Sequence, residues 1–170
     1  LSMWANGEDP EAMTLIPSTF FRTTLQSDPT EDVPLADEIA VQQLYLEIEA
    51  VRFPQRLQAR FDIAPEALNA CLPGLILQPL IENAIKYGVA AARRPVQICV
   101  RAKIMGETLE VTVSDDGDGA KAPNGTGVGL RNVRDRLPAR FGEAAWLPAG
   151  KRAEGGFAAT ITLPLVYNGC

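Results

Sequence analysis

The stretches that most constrain this chain are Val96–Ile104 and Leu109–Val113. In both, apolar side chains alternate with polar ones, which is the pattern of a strand with one buried face. Met105-Gly106-Glu107 supplies the turn between them, so the pair reads as a hairpin. Leu57–Ile63 (Leu57, Ala59, Phe61, Ile63) and Phe157–Leu165 (Phe157, Ala159, Ile161, Leu163) show the same alternation. A turn region at Gly150–Gly156 precedes the last strand. Between these strands lie segments with helical spacing. Leu35–Val51 carries Val41, Leu44, Tyr45, Ile48 and Val51 on one face, and Pro54 ends it. Pro65–Leu72 reads as a short helical piece. In Leu75–Gly88 the apolar face is Leu77, Leu80, Ile81, Ala84 and Ile85; in Val128–Arg140 it is Leu130, Val133 and Leu137. Strands in hairpins with helices among them indicate an α+β fold, with helices covering one face of a sheet.

The N-terminal part is different. Leu1–Asn6 reads as the tail of a helix stopped by Gly7, and Asp9-Pro10 starts another that runs to about Leu25, with Pro17 kinking it. Its stripe of Met13, Ile16, Phe20, Phe21 and Leu25 needs burial, in a core or in an oligomer interface. Gln26–Pro34 reads as a linker. The expected division is therefore residues 1–30 as a helical remnant and linker, and residues 31–170 as a domain. A first residue other than methionine suggests an excised fragment.

Composition excludes several function classes. A net charge of -5 argues against a nucleic-acid partner and, more weakly, against an anionic membrane surface. No apolar run approaches the roughly 18–20 residues of a membrane span. The three cysteines (Cys71, Cys99, Cys170) are dispersed and lack metal-ligand spacing, so a reducing cytoplasm is the simplest setting. Cys99 sits in an apolar strand pattern, where a thiol behaves as a small hydrophobe. The chain contains no histidine.

The candidate chemistry lies in three stretches: LILQPLIENAIKYG (Leu75–Gly88), VSDDGDG (Val113–Gly119) and GTGVGL (Gly125–Leu130). Asn83, Lys86 and Tyr87 group on the polar side of the first, at i, i+3 and i+4. An ordinary amphipathic helix would also carry polar residues there. In the second, an acid at a strand end can accept a hydrogen bond from an exocyclic amine such as adenine N6. Gly117 and Gly119 let the backbone lie against a flat ligand. A tight turn with solvated acids, or a calcium loop, is the alternative; the regular oxygen ligands and closing glutamate of an EF-hand are missing. The third stretch opens a helix, where backbone N–H groups and the positive end of the dipole suit a phosphate chain. Its glycine spacing is neither a dinucleotide fingerprint nor a Walker loop.

In combination, ENAIKYG, DDGDG and GTGVGL resemble the N, G1 and G2 boxes of the GHKL ATPases, and within them the LytS-like sensor histidine kinases. VPLADEIAVQQLYLEIEAVRFPQRL, GLRNVRDRL and RFG extend the likeness over nearly the whole chain. The resemblance implies a Bergerat-type two-layer sandwich, a mixed and mostly antiparallel sheet with helices on one face, plus an N-terminal helical segment. It implies ATP and Mg²⁺ as ligands. Asn83 would supply an oxygen to the metal, Lys86 would meet the phosphates and Tyr87 would pack by the nucleotide. Asp115 would accept from adenine N6, with Gly117 and Gly119 shaping the base pocket. Gly125, Thr126, Gly127, Val128, Gly129 and Leu130 would form the lid and phosphate cradle. Glu82 is the candidate catalytic residue, orienting water or a metal-bound group, with a solvated helix position as the equal alternative. One of Arg131, Arg134 and Arg136 could reach a phosphate, an exposed helix face being the simpler reading for all three.

Three departures from the family pattern stand out. Tyr87 stands where LytS-like kinases usually have histidine, and Phe157 where a threonine is usual. The family's phosphoacceptor histidine lies in a helix upstream of the segment that resembles Leu1–Asn6, so this chain is expected to begin after it. The implied function is transfer of the γ-phosphoryl of ATP to that histidine, for relay to an aspartate of a response regulator. The implied partners are the response regulator and the protein's own dimerisation helix. No nucleic-acid partner and no membrane contact by these residues are expected. The implied location is cytoplasmic, as a soluble protein or the soluble part of a membrane-bound sensor. The rival readings are a nucleotide-gated interaction module without kinase activity and an anti-sigma-type serine kinase.

Overall fold

In the computed structural model the described residues are 31–118 and 128–170. The expected helix Asp9–Leu25, the helix tail Leu1–Asn6 and the site candidates Gly119, Gly125, Thr126 and Gly127 lie outside them, as does the side chain of Val128.

The hairpin forms as its alternation requires. β4 (Val96–Met105) and β5 (Thr108–Asp115) pair antiparallel with Val100 opposite Val113, and Gly106 takes a φ of +61° in the turn. That left-handed conformation is nearly free for glycine. β2 (Leu57–Ile63) adds to β4 in parallel, β7 (Phe157–Pro164) to β5 antiparallel, and the short β6 (Ala149–Lys151) to β7. The order is β2-β4-β5-β7-β6, which leaves β5 in the middle of a mixed, mostly antiparallel sheet of five strands. Val96, Ile98, Val100 and Ala102 of β4, Leu109, Val111 and Val113 of β5, and Phe157, Ala159, Ile161 and Leu163 of β7 are all buried. The other face is polar, with Thr112 and Thr160 hydrogen-bonded across the strands at 2.9 Å.

Among the described residues three α-helices accompany the sheet: α1 (Leu35–Arg52), α2 (Gln78–Ala84) and α3 (Val128–Phe141). Two three-residue strands, β1 (Asp32–Pro34) and β3 (Cys71–Pro73), form a separate ladder. This corrects the expectation at both places. The end of the supposed linker is a strand, and Pro65–Leu72 is helical only as a 3₁₀ turn over Pro65–Ala67. α2 begins at Gln78 rather than Leu75, because Leu75 has a left-handed φ of +61° and cannot join a right-handed helix. It continues as a π-helical turn over Ile85–Val89.

The buried face of α1 also differs from the expected one. Leu35, Ile39 and Leu46 are buried, but with them are Glu38, Gln42 and Glu49, while Val51 is exposed and Val41, Leu44, Tyr45 and Ile48 are only half-buried. The polar residues are spaced i, i+4 and i+11 along one side of α1, and that side meets α2, where Gln42 Nε2 donates to Gln78 Oε1 at 3.0 Å. Apolar periodicity alone cannot reveal a helix face of this kind.

The cysteines also behave differently from the expectation. Cys71 and Cys170 form a disulfide, with Cα atoms 5.8 Å apart, so cysteine usage does not argue for a reducing setting. Cys99 is free and only half-buried, on the polar face of β4 with Gln97, Arg101 and Lys103, because strand alternation turns it away from Ile98 and Val100. Among the described residues no helix is long and apolar enough to cross a membrane.

Candidate functional site

Asp115 ends the middle strand on the inward-facing row, with Ile98 and Phe157 as its register partners. A carboxylate there replaces what alternation would make an apolar residue, and it is 3% exposed. Burial pushes its acid well up, to about 6, with Asp116 adding to the rise; the Gly117 N–H, Arg152 and Arg94 oppose it. Oδ1 accepts the Gly117 N–H at 2.9 Å, and Oδ2 makes no hydrogen bond to the described residues. A buried acceptor at a strand end, with one oxygen so placed, is set to receive a donor from a ligand.

Two glycines lie against this carboxylate. A Cβ on Gly88 would come within 2.7 Å of Asp115 Cγ and 2.8 Å of its Oδ1. One on Gly117 would come within 2.9 Å of Gly88 Cα and 3.0 Å of Asp115 Oδ1. The backbone of α2's π turn therefore touches the loop after β5 directly, with the carboxylate between them. The other acids of the loop do something else. Asp116 is exposed and accepts the Gln97 N–H at 2.8 Å, while Arg94 donates to the Asp116 carbonyl at 2.7 Å and pairs with Asp118 at 3.2 Å. These contacts fasten the turn and leave Asp115 as the inward acid.

The remaining candidates on α2 and its π turn are brought close in sequence and exposure. Asn83 and Tyr87 are half-buried and Lys86 is exposed, its Nζ 5.2 Å from the centre of the Tyr87 ring. The turn closes with the Ala90 N–H donating to the Ile85 carbonyl at 2.8 Å, and such π turns recur at functional sites. Arg56 supports it from below, its guanidinium donating to the carbonyls of Val89 and Ala92. Glu82 is exposed and lies towards α1: burial, then the charges of Glu49 and Glu82, push the Tyr45 hydroxyl up.

α3 brings the residues from Val128 onward beside α2. Gly129 sits where a Cβ would meet Pro79 Cβ at 3.2 Å, so the two helices touch at their starts. Val128 is the first residue of α3, and Leu130 turns into the core at 1% exposure, so only its backbone can face a ligand. Of the three arginines, Arg131 is exposed and Arg134 half-buried, but Arg136 does not lie on an exposed face as expected. Its Nη2 donates to the Gly74 carbonyl at 3.1 Å. Among the described residues no group of three or more His, Cys, Asp or Glu could hold a metal by itself.

In sequence Gly88 reads as the end of a helix, although its place directly after Asn83-Ala84-Ile85-Lys86-Tyr87 is a signal. Arg94 and Arg56 carry no sequence signal, since their work is done on backbone carbonyls far away in the chain. Glu38 carries none either, being a buried acid on a helix marked by its apolar residues.

Comparison with known proteins agrees with this geometry. The family described as histidine kinase-, DNA gyrase B-, and HSP90-like ATPase matches residues 72–167, and a histidine kinase family matches residues 1–57. The chain is 40% identical over 128 residues to the sensor histidine kinase BtsS of Escherichia coli, covering 74% of this chain and 22% of that protein. It is 35% identical over 137 residues to the sensor histidine kinase YesM of Bacillus subtilis, with 78% and 24% covered. With the sensor protein LytS of Streptococcus mutans the figures are 33% over 144 residues, 76% and 24%. The chain thus spans about a quarter of the length of these relatives. Its fold is shared with the histidine kinase domain of a blue-light activated kinase from Erythrobacter litoralis (TM-score 0.57, 23% identity, 82% and 65% covered). It is shared too with the catalytic domain of histidine kinase ThkA (TM-score 0.59, 14% identity, 81% and 97% covered). A family match over more than half of the chain, on the residues that build the Asp115 pocket, identifies the chain as a member of the histidine kinase-, DNA gyrase B-, and HSP90-like ATPases, of the LytS-like sensor histidine kinase type.

Proposed function

We propose that residues 31–170 bind ATP in the Asp115 pocket and present its γ-phosphoryl group to a histidine on a dimerisation helix, which then passes it to an aspartate of a response regulator. The observation that carries the reading is the buried Asp115 carboxylate held between Gly88 and Gly117 at the end of the middle strand. Its Oδ2, which makes no hydrogen bond to the described residues, accepts the adenine amine, and the two glycines let the flat base approach the backbone. Phe157, beside Asp115 in the register, offers the base an apolar neighbour in place of the family's threonine.

The phosphates extend from there along α2 towards the start of α3. Lys86, exposed on the π turn, meets their charge, and the N-terminal N–H groups of α3 with the preceding Gly125–Gly127 cradle them. The half-buried Asn83 amide is a hard oxygen donor of the kind Mg²⁺ takes. With no acidic cluster nearby among the described residues, phosphate oxygens and water would have to supply the other ligands of a metal held by Asn83. Bound there, the metal neutralises phosphate charge. The P–O bond to ADP breaks as the P–N bond to the imidazole forms, and this chain contributes orientation and charge rather than a covalent intermediate. Glu82, on the α1 side of its helix, is assigned no proton transfer.

The test uses γ-labelled ATP. The chain itself, which has no histidine, acquires no acid-labile, base-stable label, whereas a dimerisation fragment of a LytS-like kinase supplied with it does. Asn83→Ala lowers that transfer by about tenfold or more and weakens ADP binding chiefly when Mg²⁺ is present. Tight nucleotide binding with no transfer to any histidine-bearing fragment favours the nucleotide-gated module instead. An equal loss of ADP affinity with and without Mg²⁺ removes the metal role of Asn83.

A further inference from the structure

Glu38 is a buried acid that none of the steps above uses. It lies on α1 at 2% exposure, and each of its oxygens has a separate task. Oε1 accepts the Leu75 N–H at 2.8 Å and Oε2 the Leu77 N–H at 2.9 Å. Leu77 is the N-cap of α2 and has no side-chain cap of its own, so the carboxylate of a different helix does the capping. Leu75 is held at φ +61°, a left-handed conformation that a leucine adopts only where its surroundings impose it. Burial pushes the Glu38 acid up, while the two N–H donors and the Arg136 charge oppose that rise. Two N–H groups directed at the two oxygens fit the ionised form.

The same corner receives α3. Arg136 puts its charge beside Glu38 and donates to the Gly74 carbonyl, one residue before the strained Leu75. One turn further on, Arg140 pairs with Asp32 of β1 at 2.7 Å. At the other end of the contact, Gly129 rests on Pro79 in the first turn of α2. The start of α2, which leads to Asn83, Lys86 and Gly88, and the helix α3 are therefore both referred to one carboxylate.

We propose that Glu38 is a positioning residue of the nucleotide site: through Leu75, Leu77 and Arg136 it sets the placement of α2 relative to α3, and with it the register between Asn83, Lys86 and the start of α3. This rests on the nucleotide-binding reading above. Shape alone does not require an acid here, since glutamine has the same outline. Glutamine, however, has only one acceptor oxygen and would point an NH₂ group at the second backbone N–H.

The experiment compares wild type and Glu38→Gln in the full chain, at a temperature where circular dichroism shows both to be folded. Calorimetry with Mg-ADP is expected to give affinity about tenfold weaker for the variant, the size of one lost charge-assisted hydrogen bond. In the nucleotide-free protein, the backbone amide resonances of Asn83, Lys86 and Gly88 shift. Arg136→Gln gives the same pattern, and the double variant is no weaker than the weaker single one, because both act at one joint. A merely stabilising Glu38 would lower the melting temperature and leave affinity and amide shifts of the folded protein unchanged; that result overturns the proposal. If Glu38→Gln does not fold, Arg136→Gln decides, and unchanged affinity and shifts there overturn it equally. Failure of wild type to bind ADP would count against the nucleotide reading alone, since the amide shifts test the positioning role without ligand.

Discussion

Alanine in place of Gly88 leaves the protein folded and weakens ADP binding by about 10- to 100-fold, the cost of losing a buried hydrogen bond to a charged group. Gly88 does not have a positive φ, so alanine adopts its backbone without strain, and alanine is the better helix former. The damage is local. The new Cβ would lie 2.7 Å from Asp115 Cγ, well inside van der Waals contact, and the short aspartate side chain must rotate away to make room. That rotation removes the acceptor from the adenine edge and breaks the Oδ1 bond to the Gly117 N–H. Circular dichroism checks the fold and calorimetry the affinity. A folded Gly88→Ala protein that binds ADP like wild type would remove the carboxylate from the account of base recognition.

Asparagine at 115 has a different signature: the nucleotide-free protein becomes more stable at neutral pH while it loses its ligand. Burial pushes the Asp115 acid of the folded chain up to about 6, against 3.8 for the free side chain. Well below 3.8 the group is protonated in both the folded and unfolded chain, and the fold carries no penalty. As pH rises towards and through about 6, the unfolded chain ionises first, and the folded state loses the stability it had in acid. At 1.36 kcal/mol per pH unit that gap is worth up to about 3 kcal/mol at pH 8. Asparagine does not ionise, can keep an oxygen on the Gly117 N–H, and escapes the loss. Urea unfolding of wild type and Asp115→Asn should coincide at about pH 3 and separate in favour of the variant by pH 7–8. Equal stability at pH 8 would mean that the carboxylate is adequately solvated or paired. Nucleotide binding moves the other way: an amine donated to the ionised carboxylate favours that form, so wild-type affinity should rise between pH 5 and 7 and that of the variant should not.

The parts that were legible in the sequence have a period. Val96, Ile98, Val100 and Ala102, and Leu109, Val111 and Val113 announced one buried face of a sheet, and all seven are buried. Leu77, Leu80, Ile81, Ala84 and Ile85 did the same for α2. What failed has no period or depends on distant partners. β1, β3 and β6 have three residues each, too few for alternation to show. The polar side of α1 reads as solvated because glutamate and glutamine normally are, yet Glu38 and Gln42 are buried by their bonds to Leu75, Leu77 and Gln78. The Cys71–Cys170 disulfide joins residues 99 apart in sequence, beyond the reach of any spacing rule. At the site, an acid at the strand end was legible in DDGDG, and the family resemblance singled out Asp115 among its three aspartates. Gly88 was not, because its role is set by what a side chain there would strike.

The central claim is that the Asp115 carboxylate receives the exocyclic amine of adenine. Calorimetry of wild-type protein with ADP and with inosine diphosphate tests it most directly, since the two ligands share sugar and phosphates and differ at the purine edge. Inosine presents a carbonyl where adenine has its amine, and a carbonyl facing a buried carboxylate offers no donor and adds repulsion. ADP should bind at least about tenfold more tightly, the discrimination expected when a site's buried polar group is left unpaired. Equal affinity for ADP and inosine diphosphate would contradict the claim.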